Sequence, residues 1–247
     1  MNLIEQKKYL LNQNKKEPKT ILLEDSDKIM LTIEKELFDL KKELLNMFLM
    51  VESQWEKGTT ALLEFDQDIA EEITISENRI NAQELKIDRD CENIIALHSP
   101  VAIDLRFVLS AFKINHALER VADIAQGIAE YVAESKNKYP DNLINELRLP
   151  EMLTQFNSMM DDVVEAFENE DTKSARKIFK KDKLLNHINA DASNVIINNI
   201  NKYDNDMLLY LLSTVRKIER AGDSIKNIGE EIIFHIDAKS IKHKDKS

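Results

Sequence analysis

Hydrophobic residues recur every three or four positions along most of this chain, which is the period of an amphipathic α-helix. The first clear stripe has apolar residues spaced 3, 4, 3 and 4 positions apart, at Leu37, Leu40, Leu44, Met47 and Val51. It predicts a first helix over roughly 31 to 58, which Gly58 and Thr59 interrupt. Isoleucines predict a second helix that continues to about Leu97, with Ile69, Ile73, Ile80, Ile87 and Ile94 on one face.

Ser99 and Pro100 are suited to the N-cap and first turn of a third helix, which we expect to reach about Glu134. Pro140 and Pro150 then bound a short polar segment that is the predicted boundary between two halves. The helical period of apolar residues resumes after this segment. Three more helices are predicted from the apolar series that begin at Met152, at Ile178 after a turn near Asp171, and at Leu208 after a break over 203 to 206.

The two halves of the chain align with each other. The offset is 105 residues through the first two helices of each half, so that Asp66 matches Asp171, and 100 residues in the third. Internal duplication of this kind predicts an all-α fold of six long helices, arranged as two tandem three-helix bundles. We expect a mobile N-terminal extension over residues 1–28, a first bundle over 29–138, and a second bundle with a short basic tail over 139–247.

Composition and charge support this fold and narrow the function. Only four glycines and four prolines occur, and aromatic residues make up 6% of the chain, which favours long helices over strands. A net charge of −11 opposes binding to nucleic acid. The apolar runs MFLMV and MLLYLL are far too short to span a membrane, so we expect a cytoplasmic protein. The single cysteine, Cys91, falls in an apolar rhythm and is expected to be a buried thiol.

The third helix of each half carries a repeated motif with two carboxylates. LERVADIAQGIAEYV contains Glu119 and Asp123, and KIERAGDSIKNIGEEI contains Glu219 and Asp223 at the matching places. Residues four apart lie on one face of a helix, and hard divalent or ferric ions such as iron prefer oxygen ligands, although zinc or a similar ion is also possible. We call these pairs the first and second pincers. Solvated ion pairs on a helix flank are the alternative interpretation, with about even weight.

Other candidate sites are weaker. His187 and Asp191 are four apart, but their counterparts Ala82 and Lys86 could not bind a metal. His116 and His235 lack the Glu-x-x-His pairing of di-iron bundles, and no Gly-rich phosphate loop or catalytic triad is visible. We therefore expect no catalytic residues. A helical carboxylate metalloenzyme and a plain helical scaffold remain as alternatives.

The segments SPVAIDLRFVLSAFKINHALERVADIAQGIAE and DMLLYLLSTVRKIERAGDSIKNIGEEIIFHIDAKSIKHK resemble the PhoU family of phosphate-signalling proteins, over residues 31 to 244. The resemblance implies a cytoplasmic, commonly dimeric regulator that binds metal through the glutamates and aspartates of the repeated motifs. It also implies negative regulation of the phosphate-starvation response, through a phosphate ABC transporter and a sensor histidine kinase.

The sequence departs from the pattern of that family at several acidic positions. Asn81 and Asn186 stand where the family often has aspartate, and Glu84 is matched in the second half by Asn189. Fewer carboxylates are therefore available to complete a metal cluster, especially in the second half.

Overall fold

A computed structural model describes the backbone of residues 18–238, with the side chains from 32 onward except that of 74. These residues form seven helices, α1 Pro18–Glu64, α2 Gln67–His98, α3 Ala102–Glu134, α4 Asp141–Glu146, α5 Leu149–Asn169, α6 Thr172–Asn199 and α7 Asn205–Asp237. Most of the predicted N-terminal extension and the basic tail lie outside the described residues. Helix α1 begins at Pro18, so residues 18–28 of the predicted extension have a helical backbone.

Helices α1, α2 and α3 pack together as one bundle, and α5, α6 and α7 pack as a second. Each helix buries its apolar stripe against two neighbours, as the 3.6-residue period requires. The long helices α3 and α7 also pack against each other and join the bundles. The predicted pair of three-helix bundles is therefore confirmed. Within the described residues, no helix is both long and apolar enough to cross a membrane.

The turns between helices differ from prediction in two places. Helix α1 continues through Gly58 to Glu64. Gly58 allows a close approach of α3, since a Cβ atom there would lie 3.2 Å from the carbonyl oxygen of Ala125. The real turn is marked by Asp66, which caps α2 by accepting a hydrogen bond from the amide of Ile69 at 3.0 Å. Its repeat counterpart, Asp171, caps α6 in the same way.

Ser99 ends α2 and does not cap α3. Its backbone adopts the left-handed conformation with φ of 47°, and its amide donates to the carbonyl of Ile95 at 3.2 Å. Helix α3 begins only at Ala102, and its N-cap residue, Val101, makes no capping hydrogen bond with its side chain. The prediction for Ser99 was wrong because a serine before a proline can also close the preceding helix.

Aromatic and charged contacts fix how the two bundles meet. Trp55 stacks on Phe156 with ring centroids 3.8 Å apart, and its indole N–H donates to Oδ1 of Asn157 at 3.1 Å. Lys113 of α3 pairs with the buried Glu231 of α7 at 3.1 Å. The aromatic contacts thus join α1 to α5, and the ion pair joins α3 to α7, the helices that carry the pincers.

Candidate carboxylate site

The first pincer lies on α3 beside the core stripe. Glu119 is partly buried and Asp123 is exposed. Burial raises the pKa of Glu119 to about 7, and the carboxylates of Asp123, Glu84 and Glu77 act in the same direction. After burial, the largest effects on the pKa of Glu119 thus come from other negative charges. A bound cation would offset the repulsion between these charges.

Glu77 of α2 completes the inner side of this pincer. Its side chain is buried, with 5% of the residue exposed, and one of its oxygens, Oε2, accepts a hydrogen bond from Gln54. Gln54 also donates to the carbonyl of Ala122 at 3.2 Å and so links all three helices of the bundle. The other oxygen of Glu77, Oε1, has no hydrogen-bond partner among the residues that the structure describes. Burial and the nearby Asp123 raise the pKa of Glu77, and Gln54 opposes the rise.

A second group of side chains that could hold a metal ion lies on α2 and α3. Glu84, Asp88 and His116 each offer one donor atom, and the three atoms lie within 4.8 Å of one another. Nδ1 of His116 is 2.8 Å from Oε1 of Glu84, and Nε2 is 3.5 Å from Oδ2 of Asp88. The buried amide of Asn115 donates to Oδ1 of Asp88 at 2.9 Å and orients that carboxylate.

The second pincer has a different partner. Glu219 is partly buried and Asp223 exposed on α7, as in the first repeat. Asp182 of α6 lies opposite them and is buried, with 2% exposed. Its Oδ2 accepts a hydrogen bond from the ammonium group of Lys226 at 3.1 Å, and that ammonium lies 3.8 Å from Oδ1 of Asp223.

The charges around the second pincer have both signs. Burial raises the pKa of Asp223 and Asp182 adds to the rise, whereas Lys226 and Arg120 oppose it. Burial alone lowers the pKa of Lys226, but the charge and hydrogen bond of Asp182 outweigh it and raise that pKa above its ordinary value. The second pincer therefore already has a neutralising cation from the protein.

Sequence reasoning found the four pincer residues but missed the buried carboxylates opposite them. The 105-residue offset pairs Glu77 with Asp182. The duplication therefore indicated that each pincer has one further carboxylate at an equivalent position on the neighbouring helix. His116 was set aside because it lacks a Glu-x-x-His partner on its own helix. Its carboxylate neighbours, Glu84 and Asp88, lie on α2 instead, which only the packing of α2 against α3 reveals.

Comparison with known proteins assigns the chain to a family. The model of the PhoU domain matches residues 44–132 and 149–232, one match in each bundle. The phosphate-specific transport system accessory protein PhoU of Serratia marcescens is 28% identical over 220 residues, which cover 84% of this chain and 86% of that protein. The PhoU homolog of Aquifex aeolicus is 30% identical over 190 residues, which cover 76% of this chain and 79% of the homolog.

Solved structures agree with this assignment. The phosphate transport system regulatory protein PhoU from Streptococcus pneumoniae superimposes with a TM-score of 0.76 at 26% identity, covering 85% of this chain and 99% of that one. PhoU from Pseudomonas aeruginosa gives a TM-score of 0.75 at 26% identity, with 83% and 99% covered. With one family match in each bundle and the repeated E-R-x-x-D segments on α3 and α7, the chain belongs to the PhoU family.

Proposed function

We infer that this protein regulates phosphate transport and that it acts as a negative regulator of the response to phosphate starvation. The observation that carries this inference is the match of both bundles to the PhoU domain, together with relatives named as accessory proteins of the phosphate-specific transport system. The match extends over both repeats, so the inference does not depend on a shared local motif. A cytoplasmic location and a homodimer are part of the same proposal.

The proposed partners are the phosphate ABC transporter and a sensor histidine kinase. An accessory protein of this kind acts by binding and has no need of a catalytic centre. None of the five histidines of the chain follows a glutamate by three positions, so the Glu-x-x-His pairs of di-iron bundles are missing, which favours a binding role over the metalloenzyme alternative.

The first pincer is the proposed metal site. The residues suit a hard cation because the carboxylates of Glu77 and Glu119 both lie close enough to Asp123 to be affected by its charge, and one buried oxygen of Glu77 has no partner among the described residues. Glu84, Asp88 and His116 would extend the ligand set along α2 and α3. A bound cation would offset the repulsion between these carboxylates and tie α2 to α3.

Metal at this place would have a structural consequence for regulation. Glu77 and Glu84 lie on α2, whereas Glu119 and Asp123 lie on α3, so a bound cation would fix the spacing of two helices in the first bundle. Because α3 also packs against α7, a change of spacing in the first bundle would reach the joint between the bundles.

The test is deletion of the protein in its host, with expression of phosphate-starvation genes measured in phosphate-rich medium. Expression should rise on deletion and return to the low level when the wild-type chain is supplied again. Supplying a chain with E119Q and D123N then asks whether regulation needs the metal site. Unchanged expression after deletion would refute the regulatory role, whereas full rescue by the double variant would refute only the part assigned to metal.

A further inference from the structure

The two pincers match in sequence, but their surroundings differ, and one of the differences places a charged residue beside the second pincer. Lys226 of the second repeat aligns with Gln126 of the first through the 100-residue offset. The ammonium group of Lys226 lies between Asp182 and Asp223, at 3.1 and 3.8 Å. Gln126 has no charge, and its amide donates to Glu130 on its own helix at 3.1 Å. The two repeats therefore differ in whether the protein supplies a cation at the pincer.

We propose that Lys226 occupies the position of the metal ion in the second bundle, so that this pincer is closed to metal and only the first pincer binds it. The proposal rests on the metal site inferred for the first bundle, and it assigns opposite states to two sites that the duplication made alike. The duplicated protein would then hold a metal centre in one half and an internal ion pair in the other.

The distribution of ligands agrees with this assignment. The first site offers five carboxylates and a histidine, from Glu77, Glu84, Asp88, His116, Glu119 and Asp123. In the second repeat Glu84 is replaced by Asn189, Asp88 by Ser193 and His116 by Arg216. Three carboxylates remain, and one of them already binds the ammonium of Lys226. A divalent cation would have to displace that ammonium before it could bind the three carboxylates that remain.

The buried Asp182 explains why the lysine is held firmly. Its Oδ2 accepts hydrogen bonds from Lys226 and, at 3.0 Å, from Asn186. Its Oδ1 is buried and has no hydrogen-bond partner among the described residues, like Oε1 of Glu77, and a Cβ atom on Gly222 of α7 would lie 3.8 Å from it. The two sites therefore differ in the ammonium of Lys226 and not in this buried oxygen. A buried carboxylate is unfavourable in its ionised form unless a positive charge lies next to it, and either a metal or a lysine can supply that charge here. The sequence supplies the lysine.

The experiment is a titration of the purified full chain with Mn²⁺, followed by isothermal calorimetry. In a protein with E119Q and D123N, which removes the first pincer, we expect no binding of Mn²⁺ at the second pincer. Adding K226Q to that protein should create binding, with affinity increased by about tenfold or more because the competing positive charge is gone. Glutamine can still donate a hydrogen bond to Asp182, and circular dichroism checks that the variant is folded.

The reciprocal variant, Q126K, adds a positive charge and does not remove the partner of a buried carboxylate. Q126K in an otherwise wild-type chain should place an ammonium at the first pincer and reduce Mn²⁺ binding by about tenfold or more. Binding of Mn²⁺ by the protein with E119Q and D123N, while Lys226 is intact, would overturn the proposal if adding E219Q and D223N abolished it. So would folded K226Q and Q126K proteins that bind like their parents. If the wild type itself bound no Mn²⁺, the first site would be wrong, and the inference about Lys226 would still be decided by K226Q.

Discussion

Replacing Glu119 by glutamine should stabilise the metal-free protein above pH 7. The pKa of Glu119 is about 7 in the folded chain against an ordinary value of 4.5. One pH unit of difference is worth about 1.4 kcal/mol, which gives about 3 kcal/mol against folding when the group is ionised in both states. Partial exposure and the interaction shared with Asp123 reduce this to about 1–2 kcal/mol. For a chain of this length that is a rise in Tm of about 3–6 °C.

The sign follows from which state binds the proton more tightly. A raised pKa means that the folded state holds its proton more tightly than the unfolded state, so the wild type loses stability as pH rises from about 4.5 to 7. The advantage of E119Q should therefore be complete above pH 7 and disappear by about pH 4.5. Chelator must be present, since a bound cation would reverse the effect.

Thermal unfolding of both proteins in chelator, at pH 8 and at pH 4.5, measures the difference. E168Q, at an exposed glutamate of α5, is the matched control and should leave Tm unchanged at both values. Destabilisation by E119Q at pH 8, or an equal effect at both pH values, would refute the view that uncompensated negative charge surrounds this carboxylate.

Three further predictions concern the scaffold. Trp55→Ala should lower the free energy of unfolding by about 3–5 kcal/mol in urea denaturation, because it removes the stack on Phe156 and leaves a cavity between the bundles; a loss below about 1 kcal/mol would contradict this joint. Burial raises the pKa of Cys91 to about 12, so at pH 8 a thiol reagent should label it only after unfolding, and rapid labelling of the native protein would contradict its place in the core. Asp66→Ala should lower stability by about 1 kcal/mol through loss of the cap on α2, whereas an unchanged urea midpoint would argue against that cap.

Periodicity was sufficient to predict the two bundles because each helix buries a continuous apolar stripe. It failed at the helix ends, because individual capping and packing contacts determine where each helix begins and ends. Gly58 looks like a break in sequence, yet it serves close packing against Ala125. Ser99 looks like an N-cap, yet its left-handed backbone closes α2. The short helix α4, Asp141–Glu146, has too few residues to show a helical period.

The candidate site was predicted only as far as residues on one helix can show. Glu119 and Asp123 are linked by spacing, whereas Glu77 faces them from another helix through tertiary packing. Likewise the ion pair of Asp182 with Lys226 joins residues 44 positions apart. The internal duplication identifies these positions as equivalent in the two repeats. Which of their charged groups lie beside a pincer follows only from the packing of the helices.

The most direct test of the account is the metal content of protein purified without chelator, measured by elemental mass spectrometry in three forms. The wild type and the variant with E219Q and D223N should retain the same amount of metal, and the variant with E119Q and D123N should lose it. A wild type without metal, or equal losses in the two double variants, would contradict the assignment of a metal centre to the first bundle alone.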